Sequence, residues 1–298
     1  MPSEIPLQHA DAMVNGVRLH YVTAGEGPLM LFVHGFPEFW YTWRHQLRHF
    51  ARDHRVVAPD MRGYNLSGKP AAVEDYRASV IVEDLRQLIR HLGVERCILV
   101  AHDWGGAMAW AFAIAHPQMV ERLIIVNAPH PAVFARELAS NPAQAQASQY
   151  MLLFRSPEAE ALLSADNFKL LWQRTYEGLH QAGDLTDLDK AAYLAAWGQS
   201  GALTGGLNWY RATPLRPPKA GVSEGPPQLD PAQFAVKVPT LVIWGMRDTA
   251  LTSGNLDGLE RFVPDLQVRR MEQGSHWVLE ECPDEVNAHI RAFLPPKP

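Results

Sequence analysis

An aspartate in the stretch 99–110 (LVAHDWGGAMAW) has neighbours that suit a nucleophile. An apolar run precedes Asp103, and the small residues Ala101 and Gly105 stand two positions to either side of it. This spacing is typical of a sharp strand-to-helix turn that presents a nucleophile, because larger side chains at those positions would collide. An aspartate that caps the following helix would give the same pattern. Taken alone, the spacing leaves both interpretations open.

Two residues further along the chain could activate water for such a nucleophile. Asp248 follows the apolar run 240–244, and His276 follows the run 266–270. The order nucleophile, acid, histidine is that of a triad in which the acid orients a histidine base. This order favours the nucleophile interpretation of Asp103.

A third group of residues could bind a developing negative charge. The tetrapeptide 34–37 (HGFP) directly follows the apolar run 29–33. If the run is a strand of the same sheet, the backbone N–H groups of Phe36 and Trp104 would converge as an oxyanion hole. An ordinary Gly-Pro turn would look the same in isolation, but the four pieces together predict a catalytic site.

The elements that would position these residues follow an α/β rhythm. The runs predicted as strands are 17–22, 29–33, 55–58, 97–101, 123–127, 240–244 and 266–270. The first strand comes after Asn15-Gly16, a pair typical of hairpin turns. Between strands, Ile81, Leu85 and Leu88 recur at helical spacing. We therefore predict a mostly parallel sheet flanked by helices.

The rhythm stops between residues 129 and 231, where the pattern is helical and ends in the proline-rich stretch 213–231. We interpret this region as a helical cap inserted late in the sheet, followed by an extended connector. The predicted domains are a core of residues 1–128 and 232–298 and a cap of residues 129–231. Active sites of open α/β sheets lie at the carboxyl ends of the strands, so we expect the cap to cover that edge.

Composition narrows the class of protein. The 298 residues are 47% hydrophobic and 20% charged, with a net charge of −5. This predicts a globular protein without an electrostatic footprint for nucleic acid. No apolar run of membrane-spanning length and no secretory signal is visible. The cysteines, Cys97 and Cys282, suit a reducing compartment, so we expect a cytoplasmic protein. Separately, we expect a monomer or homodimer.

The chain resembles the epoxide hydrolases of the α/β-hydrolase fold over nearly its whole length. The stretches that carry the resemblance are 34–46 (HGFPEFWYTWRHQ), 60–70 (DMRGYNLSGKP), 102–106 (HDWGG) and 127–131 (NAPHP). The resemblance implies that Asp103 is the nucleophile, His276 the base and Asp248 its orienting acid. It also implies a cis peptide bond between Phe36 and Pro37. His34, Pro37 and Trp104 are expected to line the substrate pocket.

The same resemblance implies two cap tyrosines that bind the epoxide oxygen. The matching stretches are 149–154 (QYMLLF) and 207–211 (LNWYR), which give Tyr150 and Tyr210. The first stretch departs from the pattern, because Leu153 replaces an aromatic residue expected there. Spacing alone would also fit two tyrosines that pack inside a helical cap.

The chemistry gives an independent reason for an aspartate at position 103. Attack of a serine on the saturated carbon of an epoxide would give an ether, whereas a carboxylate gives an ester that activated water can hydrolyse. Tyrosines, which are protonated at neutral pH, could donate to the leaving alkoxide. The predicted function is hydrolysis of small apolar epoxides, with a role in detoxification and no need for a metal or organic cofactor.

Three alternatives remain at this point. A haloalkane or haloacid dehalogenase would use the same triad, with halide as the leaving group and the Trp104 indole as a donor. The tyrosines, and Phe36 in place of a second N–H donor, favour the epoxide. An esterase or a non-catalytic ligand-binding protein fits the set of catalytic residues less well.

Four other polar residues have predicted roles outside the chemistry. His102 is expected to pack beneath the turn at Asp103. Asp60 and Arg62 are interpreted as a structural ion pair. His130, at the start of the predicted cap, is not expected to take part in catalysis.

Overall fold

Eight strands form one sheet in the computed structural model, which describes residues 6–218 and 230–295. The strands are β1 (Gln8–Val14), β2 (Val17–Ala24), β3 (Leu29–Val33), β4 (Arg55–Pro59), β5 (Cys97–His102), β6 (Val120–Val126), β7 (Thr240–Gly245) and β8 (Leu266–Met271). Their order across the sheet is β1-β2-β4-β3-β5-β6-β7-β8. Strands β3 to β8 run parallel, and β2 runs antiparallel to both β1 and β4. The predicted mostly parallel sheet is confirmed.

The central strands are apolar because helices cover both of their faces. Every residue of β3, β5 and β7 is buried, as expected for a parallel sheet inside an α/β protein. The predicted run 29–33 matches β3, the other predicted strand ends differ from the observed ones by at most three residues, and β1 was implied only by its turn. Asn15 and Gly16 in that turn have φ of 45° and 74°, which matches the mirror-image turns that join tight hairpins.

Twelve α-helices lie within the described residues. Those of the core are α1 (Arg44–Phe50), α2 (Ala78–His91), α3 (Asp103–Ala115), α11 (Val278–Glu281) and α12 (Pro283–Phe293). Those between β6 and β7 are α4 (Pro131–Ser140), α5 (Pro142–Ala147), α6 (Tyr150–Phe154), α7 (Ala159–Thr175), α8 (Glu177–Ala182), α9 (Asp187–Trp197) and α10 (Ala202–Ala212). Within α7, residues 166–168 form a left-handed turn that interrupts the helix.

Helices α4 to α10 lie where the sequence predicts the cap. The division at residues 129 and 231 stays a prediction, and residues 219–229 of the predicted connector lie outside the described residues. Polar contacts hold this helical layer on the core. The Arg44 guanidinium pairs with Asp189 of α9 at 3.2 Å and with Glu280 of α11 at 2.7 Å. The Trp197 indole donates to the Pro37 carbonyl at 2.6 Å.

The predicted ion pair between Asp60 and Arg62 is wrong. Arg62 forms a bidentate pair with Asp84 of α2, with distances of 2.6 and 2.7 Å. Asp60 instead accepts hydrogen bonds from His20 at 2.7 Å and from Asn65 at 2.9 Å. Asp60 and Arg62 are close in sequence but point to different layers, because Asp60 packs toward β2 and Arg62 toward α2.

Among the described helices, none is long and apolar enough to cross a bilayer.

Candidate active site

Asp103 is held at a strained turn between β5 and α3. It is the first residue of α3 and has φ of 48°, in the left-handed region that non-glycine residues seldom adopt. A Cβ atom on Gly105 would lie 2.3 Å from the carbonyl oxygen of Val33, and one on Gly35 would lie 2.3 Å from Asp103 Oδ1. A side chain at either glycine would thus displace the turn or the carboxylate, and the nucleophile interpretation gains support over a plain helix cap.

The two carboxylate oxygens of Asp103 have different surroundings. Oδ1 accepts a hydrogen bond from the Phe36 backbone N–H at 2.8 Å. The Trp104 backbone N–H is also bonded to this carboxylate. The other oxygen, Oδ2, faces His276 Nε2 at 3.7 Å. The structure thus brings together the two predicted oxyanion donors, and the predicted cis peptide bond between Phe36 and Pro37 is confirmed.

His276 and Asp248 complete the predicted triad at the carboxyl edge of the sheet. The Nδ1–H of His276 donates to Asp248 Oδ2 at 2.7 Å. Asp248 Oδ1 accepts from the backbone N–H groups of Ala250 and Leu251, each at 2.8 Å. These bonds fix the ring so that Nε2 points toward Asp103.

Neighbouring charges set the protonation of the triad. Burial by itself would lower the pKa of His276, but Asp248 and then Asp103 outweigh burial and raise it to about 9. Burial would raise the pKa of Asp248, and His276 together with the backbone donors brings it below its usual value. Burial raises the pKa of Asp103, against the effect of His276. The negative charges of Asp248 and Asp103 thus favour the cationic form of the His276 ring in the free site.

Asn127 is a member of the site that sequence reasoning missed. Its Nδ2 donates to Asp248 Oδ2 at 2.8 Å, and its Oδ1 accepts from the Gly245 backbone N–H at 3.0 Å. It has φ of 40° just after β6. The available signal was a polar residue at the end of an apolar strand, directly before a Pro-containing stretch.

A buried glutamate and histidine lie beneath the nucleophile. His102 donates from Nδ1 to Glu38 Oε2 and from Nε2 to the His276 carbonyl, both at 2.9 Å. Glu38 Oε2 also accepts from the Gly35 N–H at 2.7 Å. Burial would raise the pKa of Glu38, but His102 lowers it to about 2. His102 therefore lies beneath the turn, as predicted, and links the loop before Phe36 to His276.

Tyr150 and Tyr210 meet above Asp103. Their ring centroids are 6.1 Å apart, and Phe154 packs against both rings. Burial, with the Asp103 charge as a further cause, raises the pKa of each phenol above its usual value. Both phenols are therefore protonated donors at neutral pH. Phe154 supplies an aromatic contact beside Leu153, the position at which this chain departs from the expected pattern.

Two cavities meet at Asp103, Tyr150 and Tyr210. The larger, of about 380 Å³, runs past Phe154, His276 and Trp277. The smaller, of about 220 Å³, is lined mainly by apolar side chains. These include Trp104, Ala107, Met108, Phe134, Met151 and Leu251. A molecule bound at Asp103 could therefore extend into either cavity.

Two predicted pocket residues lie elsewhere, although Trp104 does line the smaller cavity. His34 donates from Nδ1 to the Gly35 carbonyl at 2.8 Å and accepts from the Met61 N–H at 2.9 Å. Pro37 lies against cap residues away from both cavities at Asp103. The loop turns His34 into the core and Pro37 toward the cap, so their place in the substrate pocket stays a prediction.

His130 and possible metal ligands are two further candidates for a role near Asp103. His130 is turned away from Asp103, since its Nε2 donates to the Phe234 carbonyl at 3.0 Å and its ring stacks on Phe262. Among the described residues, no group of three or more His, Cys, Asp or Glu side chains could hold a metal ion.

Comparison with known proteins agrees with this geometry. The α/β hydrolase fold family matches residues 28–283. Epoxide hydrolase 4 of Mus musculus is 38% identical over 94% of this chain and 77% of its own length. Epoxide hydrolase 3 of Xenopus tropicalis is 39% identical over 94% of this chain and 75% of its own length.

A solved structure is similar over almost the whole chain. The Bacillus megaterium epoxide hydrolase in complex with an inhibitor superposes with a TM-score of 0.89 at 40% identity, covering 95% of this chain and 99% of that protein. The fold predicted from the resemblance is thereby confirmed, and the chain belongs to the epoxide hydrolases of the α/β-hydrolase fold.

Proposed function

We propose that this protein hydrolyses epoxides to vicinal diols through a covalent ester on Asp103. The observation that carries the proposal is the asymmetry of the Asp103 carboxylate. Oδ1 is bound by the Phe36 N–H, while Oδ2 faces the histidine base. A carboxylate arranged in this way can attack with Oδ2 and keep Oδ1 as the carbonyl oxygen of the ester.

In the first half of the reaction, Oδ2 forms a bond to an oxirane carbon as the carbon–oxygen bond of the ring breaks. The released alkoxide takes a proton from Tyr150 or Tyr210, whose phenols line both cavities beside Asp103. The tyrosinate then regains a proton that His276 releases. His276 becomes neutral because esterification removes the Asp103 charge, which is one cause of its raised pKa.

In the second half, neutral His276 takes a proton from water, and the resulting hydroxide attacks Cγ of Asp103. The oxyanion that forms on Oδ1 is bound by the Phe36 and Trp104 N–H groups. When the ester bond breaks, the departing alcohol oxygen takes the proton from His276. The new carboxylic acid of Asp103 returns a proton to His276, and the free site is restored.

The tyrosine pair favours epoxide hydrolysis over dehalogenation, which would use the same nucleophile and base. A halide leaves without a proton, so it does not need two phenols at the leaving-group position. The relatives named above are epoxide hydrolases, which supports the same choice.

The setting of the reaction is also part of the proposal. The cavity beside Phe134 and Met151 is apolar, which supports small apolar epoxides as substrates. We further propose that the protein works in the cytoplasm, as a monomer or homodimer, in the detoxification of such compounds.

The experiment that tests the mechanism is to trap the ester. The His276→Gln variant, incubated with styrene oxide, is expected to gain the mass of one substrate per chain, because alkylation does not need the base. Peptide mapping should place the added mass on Asp103. The double variant Asp103→Ala/His276→Gln is the control and should gain no mass. No adduct in the single variant, or one on another residue, would contradict the covalent mechanism.

A further inference from the structure

A cation without a partner lies at the exposed end of the larger cavity. Arg174, in the last turn of α7, lines the cavity whose buried end holds Asp103 and His276. The Arg174 side chain is exposed. Within residues 6–218 and 230–295 it makes no hydrogen bond and no ion pair. Its charge is therefore available to a molecule in the cavity.

Two other arginines of the cap region are engaged by the protein itself. Arg211 pairs with Glu160 at 2.7 Å. Arg155 donates to the backbone carbonyls of Tyr210 and Thr213. These arginines join cap segments, whereas Arg174 joins none.

The lining of the larger cavity changes in character from end to end. At the exposed rim, Arg174 is accompanied by the amide side chains of Gln146 and Gln149. Deeper in, aromatic side chains such as Phe154 and Trp277 follow, before the catalytic carboxylate. Such a gradient suits a substituent with an apolar chain and an anionic or hydrogen-bond-accepting end.

The smaller cavity differs from the larger one in the charge of its lining. Of the residues that the structure describes, its lining includes no charged one besides Asp103 itself. A substituent of an epoxide at Asp103 would therefore meet different surroundings in the two cavities, and among the described residues a cation for an anionic far end is found in the larger cavity.

We propose that Arg174 is a specificity-determining residue that binds a carboxylate at the far end of an epoxide substituent in the larger cavity. Its guanidinium can donate two parallel N–H bonds to a carboxylate, a geometry in which arginine surpasses lysine. The proposal deepens the proposed function and rests on it. Among otherwise apolar epoxides, those that carry an ionised acid at the end of a flexible chain should be hydrolysed faster.

The test compares 9,10-epoxydecanoate with its methyl ester, which has nearly the same length and lacks the charge. The kcat/KM of wild type should be about two- to fivefold higher for the acid, the range expected of an exposed charge pair. Arg174→Gln should remove this preference, Arg174→Glu should reverse it, and Arg174→Lys should keep part of it. The preference of wild type should fall as salt is raised, because salt screens exposed charges.

Two matched measurements keep the result interpretable. Lys169→Gln removes another cation of α7 that lines neither cavity at Asp103, and it should leave the ratio unchanged. The rate at which the epoxide ring of the methyl ester substrate is hydrolysed should stay within about twofold in every variant. An acid-to-ester ratio that Arg174→Gln leaves unchanged, or an equal loss with both substrates, would overturn the assignment of Arg174. If wild type opened the epoxide of neither the acid nor the methyl ester, that result would contradict the proposed function itself.

Discussion

His276 Nε2 lies 3.7 Å from Asp103 Oδ2, while Nδ1 of the same ring lies 2.7 Å from Asp248 Oδ2. The His276 ring is thus hydrogen-bonded to Asp248, whereas its distance to Asp103 is too long for a hydrogen bond. In the proposed mechanism, Asp103 thereby keeps an oxygen for attack on the epoxide, and His276 keeps a nitrogen to activate water. The same arrangement ties the pKa of His276 to the state of Asp103.

Removing the Asp103 carboxylate should therefore lower the pKa of His276. With both carboxylates in place the pKa is raised to about 9. In Asp103→Ala one of the raising charges is gone, so the pKa should fall, as it should in the ester intermediate. The measurement is an NMR titration of the His276 ring in wild type and variant. The Asp248→Asn variant should show a larger fall, because Asp248 is the stronger cause; an unchanged value in Asp103→Ala would contradict this coupling.

The carboxylate asymmetry predicts where isotope labels go. In a single turnover with excess enzyme in H₂¹⁸O, the first diol should carry no ¹⁸O, because its new oxygen comes from Oδ2 of Asp103. The label should instead appear in Asp103 itself. Mass spectrometry of the diol and of the Asp103 peptide measures both. A labelled diol from the first turnover would show direct attack of water on the epoxide.

The tyrosine pair should matter only when the leaving group needs a proton. In the His276→Gln background, changing Tyr150 and Tyr210 to Phe together should slow adduct formation from an epoxide by about 100-fold or more, the usual contribution of general acid catalysis. Adduct formation from a bromoalkane should change little, because bromide leaves without a proton. Time-resolved mass spectrometry follows both reactions. Tyr64→Phe is a matched control, since Tyr64 is buried nearby and lines neither cavity at Asp103.

The sequence was sufficient to predict residues that the strand ends bring together. Asp103, Asp248 and His276 each follow a stretch predicted as a strand, and in a parallel sheet the carboxyl ends of those strands meet at one edge. Their proximity thus follows from the order of elements, without knowledge of packing.

Partners set by packing between layers could not be predicted in this way. Arg62 pairs with Asp84, 22 positions along the chain, rather than with Asp60. His34 and Pro37 belong to the correct loop, but the direction of each side chain depends on the path of that loop. Asn127 likewise gains its role only when β7 brings Gly245 and Asp248 beside it.

Asn127 should position Asp248 through the hydrogen bond between them. Asn127→Ala would remove a donor to Asp248 and leave the Gly245 N–H without its acceptor, at a cost of about 1–3 kcal/mol in the free energy of unfolding. Single-turnover kinetics should show hydrolysis of the ester slowed more than its formation, since Asp248 serves the base. Denaturant unfolding gives the stability. Equal slowing of both steps would indicate a structural role alone.

Glu38 should stabilise the fold above pH 4.5 and lose this effect in acid. Its pKa falls from 4.5 in the unfolded chain to about 2 in the folded protein, so the stabilisation is complete above 4.5 and disappears as the pH falls toward 2. Glu38→Gln should cost about 3 kcal/mol at pH 7, where breaking a buried pair is expensive. Urea unfolding at pH 7 and pH 3 should show the gap between wild type and variant narrowing in acid. Glu83→Gln is the comparison: its pair with Arg86 is partly exposed, so it should cost less than about 1 kcal/mol. An equal cost for both substitutions would mean that burial of the Glu38–His102 pair adds nothing to stability.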